Sequence, residues 1–264
     1  MRKAIFTVLY LACTMILFSG SHDNQKVSDY KNPNLTIEKR TKDLLSRMTI
    51  EEKVAQMTCM IHIYNYVDSL GAIDSSFLKN SLNYGIGQIS DYTIRWRKPE
   101  ILITFQNNLQ YYLINHTRLG IPAIIHSEGT RSAMFNGATM FPAAIALASS
   151  WDLELIKNVN QVIAEESRAR GIQQVEAPVV DVAREPRWGR IEETFGEDPY
   201  LVSQIGIQAV KGLQGEKENI DSTHVIATLK HFAAYSQPER GLNGGANNCS
   251  ERILREVFFP PFKE

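Results

Sequence analysis

An α/β fold built on a parallel sheet is what the sequence predicts, and three observations lead there. Short runs rich in valine and isoleucine, Ala123–Ile125, Val175–Val182 and Val225–Leu229, read as strands buried on both faces. Between them lie stretches of 14 to 18 residues whose apolar positions recur at helical spacing. Strand and helix alternate about four times, and such alternation implies parallel strands joined by helical crossovers. With 264 residues, 44% hydrophobic and 22% charged, the chain can bury a sizeable core of barrel-domain size.

Residues 1–21 stand outside this pattern. Arg2 and Lys3 precede an apolar run from Ala4 to Phe18, and the small residues Ser19, Gly20 and Ser21 follow, as in a secretory signal peptide. The expected location is therefore exported, periplasmic or secreted. A membrane anchor is the alternative, but the run is short of the ~20 residues a spanning helix needs. Cys13 raises lipoprotein anchoring, yet Tyr10 stands where a lipidation box favours an aliphatic residue. Removing the segment takes away two positive charges, so the formal charge passes from −1 to 26 − 29 = −3. A basic run is lacking, and with it the electrostatic footprint that nucleic acid requires. Cys59 and Cys249 remain, and an exported chain could oxidise them, although nothing in their spacing says that they meet. No paired C-x-x-C or H-E-x-x-H occurs, so neither a metal nor another cofactor is expected. Asn34, Asn115 and Asn248 open N-x-S/T triplets, which matter only in a glycosylating host.

From residue 36 the elements follow in order. Leu44, Leu45, Met48, Val54 and Met57 have helical spacing, and Thr49 with Glu52 three residues later forms a capping box where a second helix begins, giving a helical hairpin. Tyr84–Asp91 reads as a short strand after the Gly85-Ile-Gly87 turn. Pro99–His116 is amphipathic, with Gly120 as a C-cap signal. Leu153–Arg170 is a helix closed by Gly171, Tyr200–Leu213 a helix stopped by Gly215, and Ser250–Phe259 a helix before Pro260-Pro261.

The most informative stretch is Val175 to Pro199. Its strand gives way to Arg184, Glu185, Arg187, Arg190, Glu192 and Glu193, crowded around Pro186 and Trp188. So many charges of both signs are ordered only if they pair. Arginine forks beside an indole suit the hydroxyls and flat faces of a sugar; an ion-paired loop that merely closes the end of a sheet would have the same composition.

R-E-P-R-W-G-R-I-E-E-T-F-G-E-D-P-Y-L-V (184–202) resembles the signature of glycoside hydrolase family 3, the β-glucosidases, β-xylosidases and related exo-acting enzymes. Five other stretches agree with it in order: L-L-S-R-M-T-I-E-E-K-V-A-Q-M (44–57), G-I-P-A-I-I-H-S-E-G-T (120–130), G-A-T-M-F-P-A-A-I-A-L-A-S-S-W-D (137–152), A-T-L-K-H-F-A-A-Y (227–235) and S-E-R-I-L-R-E-V-F-F-P-P-F (250–262). Together with the alternation of elements, the resemblance implies the N-terminal portion, about four β/α units, of a (β/α)8 TIM-type barrel over residues 22–264, with the chain expected to stop near the middle of the barrel.

In such barrels function sits at the C-terminal ends of the strands. The resemblance implies that Glu128, Arg190, Lys230 and His231 bind the sugar of a small-molecule or oligosaccharide β-glycoside. Arg184 and Arg187 are expected to be structural partners of Glu185, Glu192 and Glu193, and Asp181 to be structural. Two departures stand out. Where many members carry His-Gly after the acidic residue, this chain has Arg131 and Ser132. The nucleophilic aspartate of the family's later S-D-W/Y motif has no counterpart: Ser28-Asp29-Tyr30 precedes every barrel element and Ser90-Asp91-Tyr92 follows the first strand. Nucleophile and acid/base are thus expected beyond Glu264. The implied activity is retaining hydrolysis of terminal β-D-glucosyl or xylosyl residues by the complete protein. A non-catalytic sugar-binding or structural remnant is the alternative, and K-H-F-A-A-Y-S (230–236) argues against the β-N-acetylhexosaminidases of the family, which carry K-H-F-P-G-H-G.

Overall fold

A computed structural model describes residues 28–92 and 95–264. The signal-peptide reading of residues 1–21 lies outside them. The chain divides into two compact units, one ending at Met48 and one spanning Thr49–Glu264.

In the first unit, α1 (Ile37–Arg47) begins at Thr36, whose hydroxyl accepts from the Lys39 amide. Asp43 accepts from Arg47 at 2.9 and 3.0 Å and from the Tyr30 amide at 3.0 Å, so the helix ties down the segment before it.

The second unit opens with α2 (Ile50–Gln56), where both arms of the expected Thr49–Glu52 capping box are made. Glu52 is buried and also receives Arg118 at 2.9 and 2.5 Å, so one carboxylate joins the helix start to the segment after the helix Pro99–His116. The elements that follow are β1 (Cys59–Met60), α3 (Ser75–Ser81), β2 (Gln88–Ser90), α4 (Pro99–His116), β3 (Ile124–Glu128), α5 (Ala144–Ala148), α6 (Leu153–Ala169), β4 (Gln174–Glu176), α7 (Pro199–Gln214), β5 (Ile226–Ala227), α8 (Glu251–Ile253), which continues through a π-helical turn at Leu254–Phe258, and α9 (Pro260–Lys263). The five strands form one parallel sheet in the order β1-β2-β3-β4-β5. Sequential order with a helix in every connection is the pattern of a (β/α)8 barrel wall, here five strands wide.

The expected elements are found together with β1, α3 and α5, which were not expected. The strand expected over Val175–Val182 pairs regularly only at Gln174–Glu176. Pro178 lacks an amide proton, and pairing resumes beyond it, where the Val180 amide donates to the Lys230 carbonyl at 2.8 Å and Val179 bridges Lys230.

Two apolar clusters hold the sheet. Ile63, Leu82, Ile89, Leu102, Phe105, Leu109 and Leu113 pack around β2 and α4. Ile125, Ile156, Ile163, Val175, Val180, Val202, Ile205, Leu213, Val225 and Phe258 pack between β3–β5 and the layer of α6 and α7. Gly212 lets these two helices close up: a Cβ there would strike the Lys157 carbonyl and come within 2.7 Å of the Asn160 Cβ. Among the described residues no helix is long and apolar enough to cross a membrane. Cys59 and Cys249 are both free thiols.

Candidate active site

Alternation along β3 sends Ile125 into the core, and carries Glu128 to the C-terminal end of the sheet. Gly129 lets the chain leave β3 across β4, because a Cβ there would lie 2.8 Å from the Cβ of Val175. Lys230, delivered just past β5 and nearly buried, donates its Nζ to Glu128 Oε2 at 2.9 Å. The next residue continues the chain of contacts. Asp181 Oδ2 accepts from the His231 amide at 3.2 Å and from its Nδ1 at 2.7 Å, while His231 Nε2 lies 3.2 Å from Arg190 Nη2. A guanidinium only donates, so Nε2 is the acceptor and Nδ1 carries the proton given to Asp181.

Arg190 in turn donates Nε and Nη2 to the two oxygens of Glu193, each at 2.7 Å. The 3-10 turn at Ile191–Glu193 places these side chains three residues apart on one face. Burial opposes ionisation of Glu193, yet the hydrogen bond and charge of Arg190, aided by Lys230 and His231, hold its carboxyl below the ordinary value, while Glu193 holds the guanidinium above its own. Tyr235 braces the group: its ring lies 5.0 Å from His231 and 5.4 Å below the Arg190 guanidinium.

A cavity of about 230 Å³ opens beside this cluster, lined by Glu128, Thr130, Arg131, Met134, Ala143, Ala144, Arg190, Glu192 and Glu193. The structure therefore brings the four expected site residues to one place as two hydrogen-bonded sets that meet at the neighbours Lys230 and His231, with Glu128 and Arg190 on the cavity and Lys230 and His231 supporting them. Three expectations are corrected. Trp188 offers no face to a sugar: it is 2% exposed, donates Nε1 to Asn243 at 3.0 Å and meets Tyr235 edge-on. Arg187 pairs with Glu185, and its hydrogen bonds draw that carboxyl down to about 2, but Glu193 belongs to Arg190 and Glu192 faces Arg131 at 3.7 Å. Arg184 pairs with none of the three among the described residues. Asn243 carries no sequence signal and Tyr235 is marked only as the end of the 227–235 stretch, whereas the i,i+3 spacing of Arg190 and Glu193 could have been read as an ion pair.

Asp91, at the end of β2, is 3% exposed. Burial raises its carboxyl to about 6, with Glu128 and Glu176 adding repulsion against the opposing effects of Ser127 and Arg95. No cluster of three or more histidine, cysteine or acidic side chains able to hold a metal occurs among the described residues.

A sequential parallel sheet with helical crossovers and a charged cluster at the C-terminal ends of its strands defines the N-terminal portion of a TIM-type barrel. Residues 49–264 match the glycosyl hydrolase family 3 N-terminal domain, and the chain belongs to that family. It is 36% identical to a putative β-xylosidase of Formosa agariphila over 100% of this chain and 35% of that protein. It is 33% identical to a periplasmic β-glucosidase of Salmonella typhimurium, with 84% and 26% covered. The solved structure of a β-glucosidase from Erythrobacter marinus superimposes with a TM-score of 0.79 at 29% identity, over 90% of this chain and 31% of that one. The chain thus spans about a third or less of these relatives.

Proposed function

We propose that this chain supplies the sugar-binding part of the active site of a retaining β-glycosidase that releases terminal β-D-glucosyl or xylosyl residues. The observation that carries the reading is the pair of hydrogen-bonded sets Glu128–Lys230 and Asp181–His231–Arg190–Glu193, joined through the adjacent residues Lys230 and His231 at the strand ends, beside a cavity of about 230 Å³. A rigid set of charged donors and acceptors discriminates strongly for hydroxyls, because each group left unmatched is costly. The names of the xylosidase and glucosidase relatives support the same substrate class. Residues 22–264 are in this reading part of a barrel domain, and the nucleophile and acid/base that retaining chemistry requires are supplied from outside these 264 residues.

Export belongs to the same proposal. The basic start, the apolar run and Ser19-Gly-Ser21 place a mature N-terminus near His22. Mass spectrometry of the protein recovered from its host checks this, and retained Met1 in the cytoplasm overturns it.

The functional test is made in the full-length protein with p-nitrophenyl β-glucoside and β-xyloside. Glu128→Gln and Arg190→Ala are expected to lower kcat/KM more than Arg184→Ala at equal folded fraction, since binding that strengthens in the transition state appears there. Arg184→Ala as the most damaging of the three would refute the assignment.

A further inference from the structure

We propose that Arg131 and Glu192 form a second recognition element in the same cavity, a donor–acceptor pair that reads one hydroxyl of a neutral sugar; the proposal rests on the glycosidase reading above. The inner residues of the cavity are committed to one another. Lys230 holds Glu128 at 2.9 Å, and Arg190 spends its Nε and Nη2 donors on Glu193. Arg131 and Glu192 are different. They reach the cavity wall from separate segments, the loop after β3 and the turn after Arg190. Their closest approach, Nη1 to Oε2, is 3.7 Å, too long for a hydrogen bond, and among the described residues no other side-chain partner holds either one.

Their backbones are nonetheless fixed. The Arg131 carbonyl accepts from the Phe141 amide at 3.0 Å, and Glu192 sits between Ile191 and Glu193 in a turn locked by the Arg190–Glu193 pair. A rigid frame thus presents a guanidinium and a carboxylate side by side, 46% and 61% exposed, with their bonds left to solvent or ligand. A hydroxyl is the group that completes this arrangement, since it accepts from the arginine and donates to the glutamate at once. A carboxylate or sulfate on the sugar could use the arginine but would face Glu192 and Glu128 across the same small space, so the pair selects a neutral sugar. The loop that carries Arg131 is also where the sequence departs from the family's His-Gly, which makes the pair a feature by which this chain chooses among glycosides.

The test uses the full-length protein, the parent p-nitrophenyl β-glycosides and their monodeoxy analogues. Arg131→Ala and Glu192→Gln are each expected to lower kcat/KM on the parent on the order of 10- to 100-fold, the range for a hydrogen bond to a charged group. On the one analogue that lacks the hydroxyl being read, the loss should shrink to less than about threefold, and the double variant should lose little more than either single one on the parent. Equal losses across the whole deoxy series, or no loss with an active wild type, would overturn the pair while leaving the glycosidase reading intact. A wild type that turns over none of the parent glycosides overturns that reading, and the pair's role with it.

Discussion

Asp181 shows how a residue's chemistry is set by what it touches. It is 1% exposed, and its Oδ2 takes both the amide and Nδ1 of His231, which leaves Nε2 to accept from Arg190. Its carboxylate therefore orients a ring that supports the arginine at the cavity. Asp181→Asn keeps the shape but removes the charge, and should lower kcat/KM on the order of tenfold in the full-length protein with little change in melting temperature; unchanged kcat/KM would show that His231 needs no such partner. Asp91 gives a pH effect. Its folded-state carboxyl is raised from 3.8 to about 6, chiefly by burial, so the folded protein binds the proton more tightly than the unfolded chain does. Stability from this group is full below about pH 4 and falls as pH rises toward about 6, by on the order of 3 kcal/mol for a shift of two units. Asp91→Asn should remove that fall, so the difference in unfolding free energy between variant and wild type should grow in the variant's favour between pH 4 and 7. A constant difference would mean that Asp91 titrates normally. In the sequence Asp91 and Asp181 stand at the ends of the strands expected over Tyr84–Asp91 and Val175–Val182, and Asp181 is expected to be structural. Neither the burial of Asp91 nor the His231 partner of Asp181 is legible there, because both depend on contacts distant in the chain. Motifs mark Glu128, Arg190, Lys230 and His231, which the structure gathers at the strand ends.

At the scale of elements, helices were read well and strands less so. Pro99–His116 was expected at the bounds observed, and Leu153–Arg170 and Tyr200–Leu213 came within a residue or so, since long periodic segments carry many apolar positions and closing glycines. The strands are two to five residues long, too short for a period to show. Cys59–Met60 was missed for that reason, and α3 because its seven residues bury only Phe77. The long valine run reads in the sequence as one strand, although Pro178 in its middle interrupts the ladder. The packing of α6 on α7 offers a test at this scale. Alanine normally stabilises a helix relative to glycine by about 1 kcal/mol, but at Gly212 the new methyl would meet the Lys157 carbonyl and lie 3.0 Å from the Gln161 amide nitrogen, both backbone atoms that cannot rotate away. Gly212→Ala should therefore destabilise the protein by about 2 kcal/mol, as overpacking does. Denaturant unfolding measures it, and a stabilised variant would mean that the helices sit farther apart.

Over the whole of Thr49–Glu264, the sheet has β1 and β5 each paired on one side only, and large apolar side chains lie open near both ends: Met57 at 87% exposure beyond α2, and Phe232 at 75% just after Lys230 and His231. Such edges and patches are covered in stable soluble proteins. The carboxylates near the cavity are largely committed to partners. A retaining glycosidase needs one carboxylate free to attack the anomeric carbon. Around the cavity Glu128 is held by Lys230 and Glu193 by Arg190, and Asp181 is spent on His231. Glu192 alone is loosely held, and it stands on the wall with Arg131. The chain from His22 to Glu264 expressed by itself is therefore expected to associate or aggregate, and to give no turnover of p-nitrophenyl β-glucoside or β-xyloside above background. The full-length protein, assayed beside it, should be active. Size-exclusion chromatography and the release of p-nitrophenol decide both points. Turnover by the isolated chain within tenfold of the full-length protein, lost on Glu192→Gln, would mean that Glu192 is the nucleophile and not a reader of hydroxyls. The same turnover lost on Glu128→Gln would place the attacking carboxylate where Lys230 now binds.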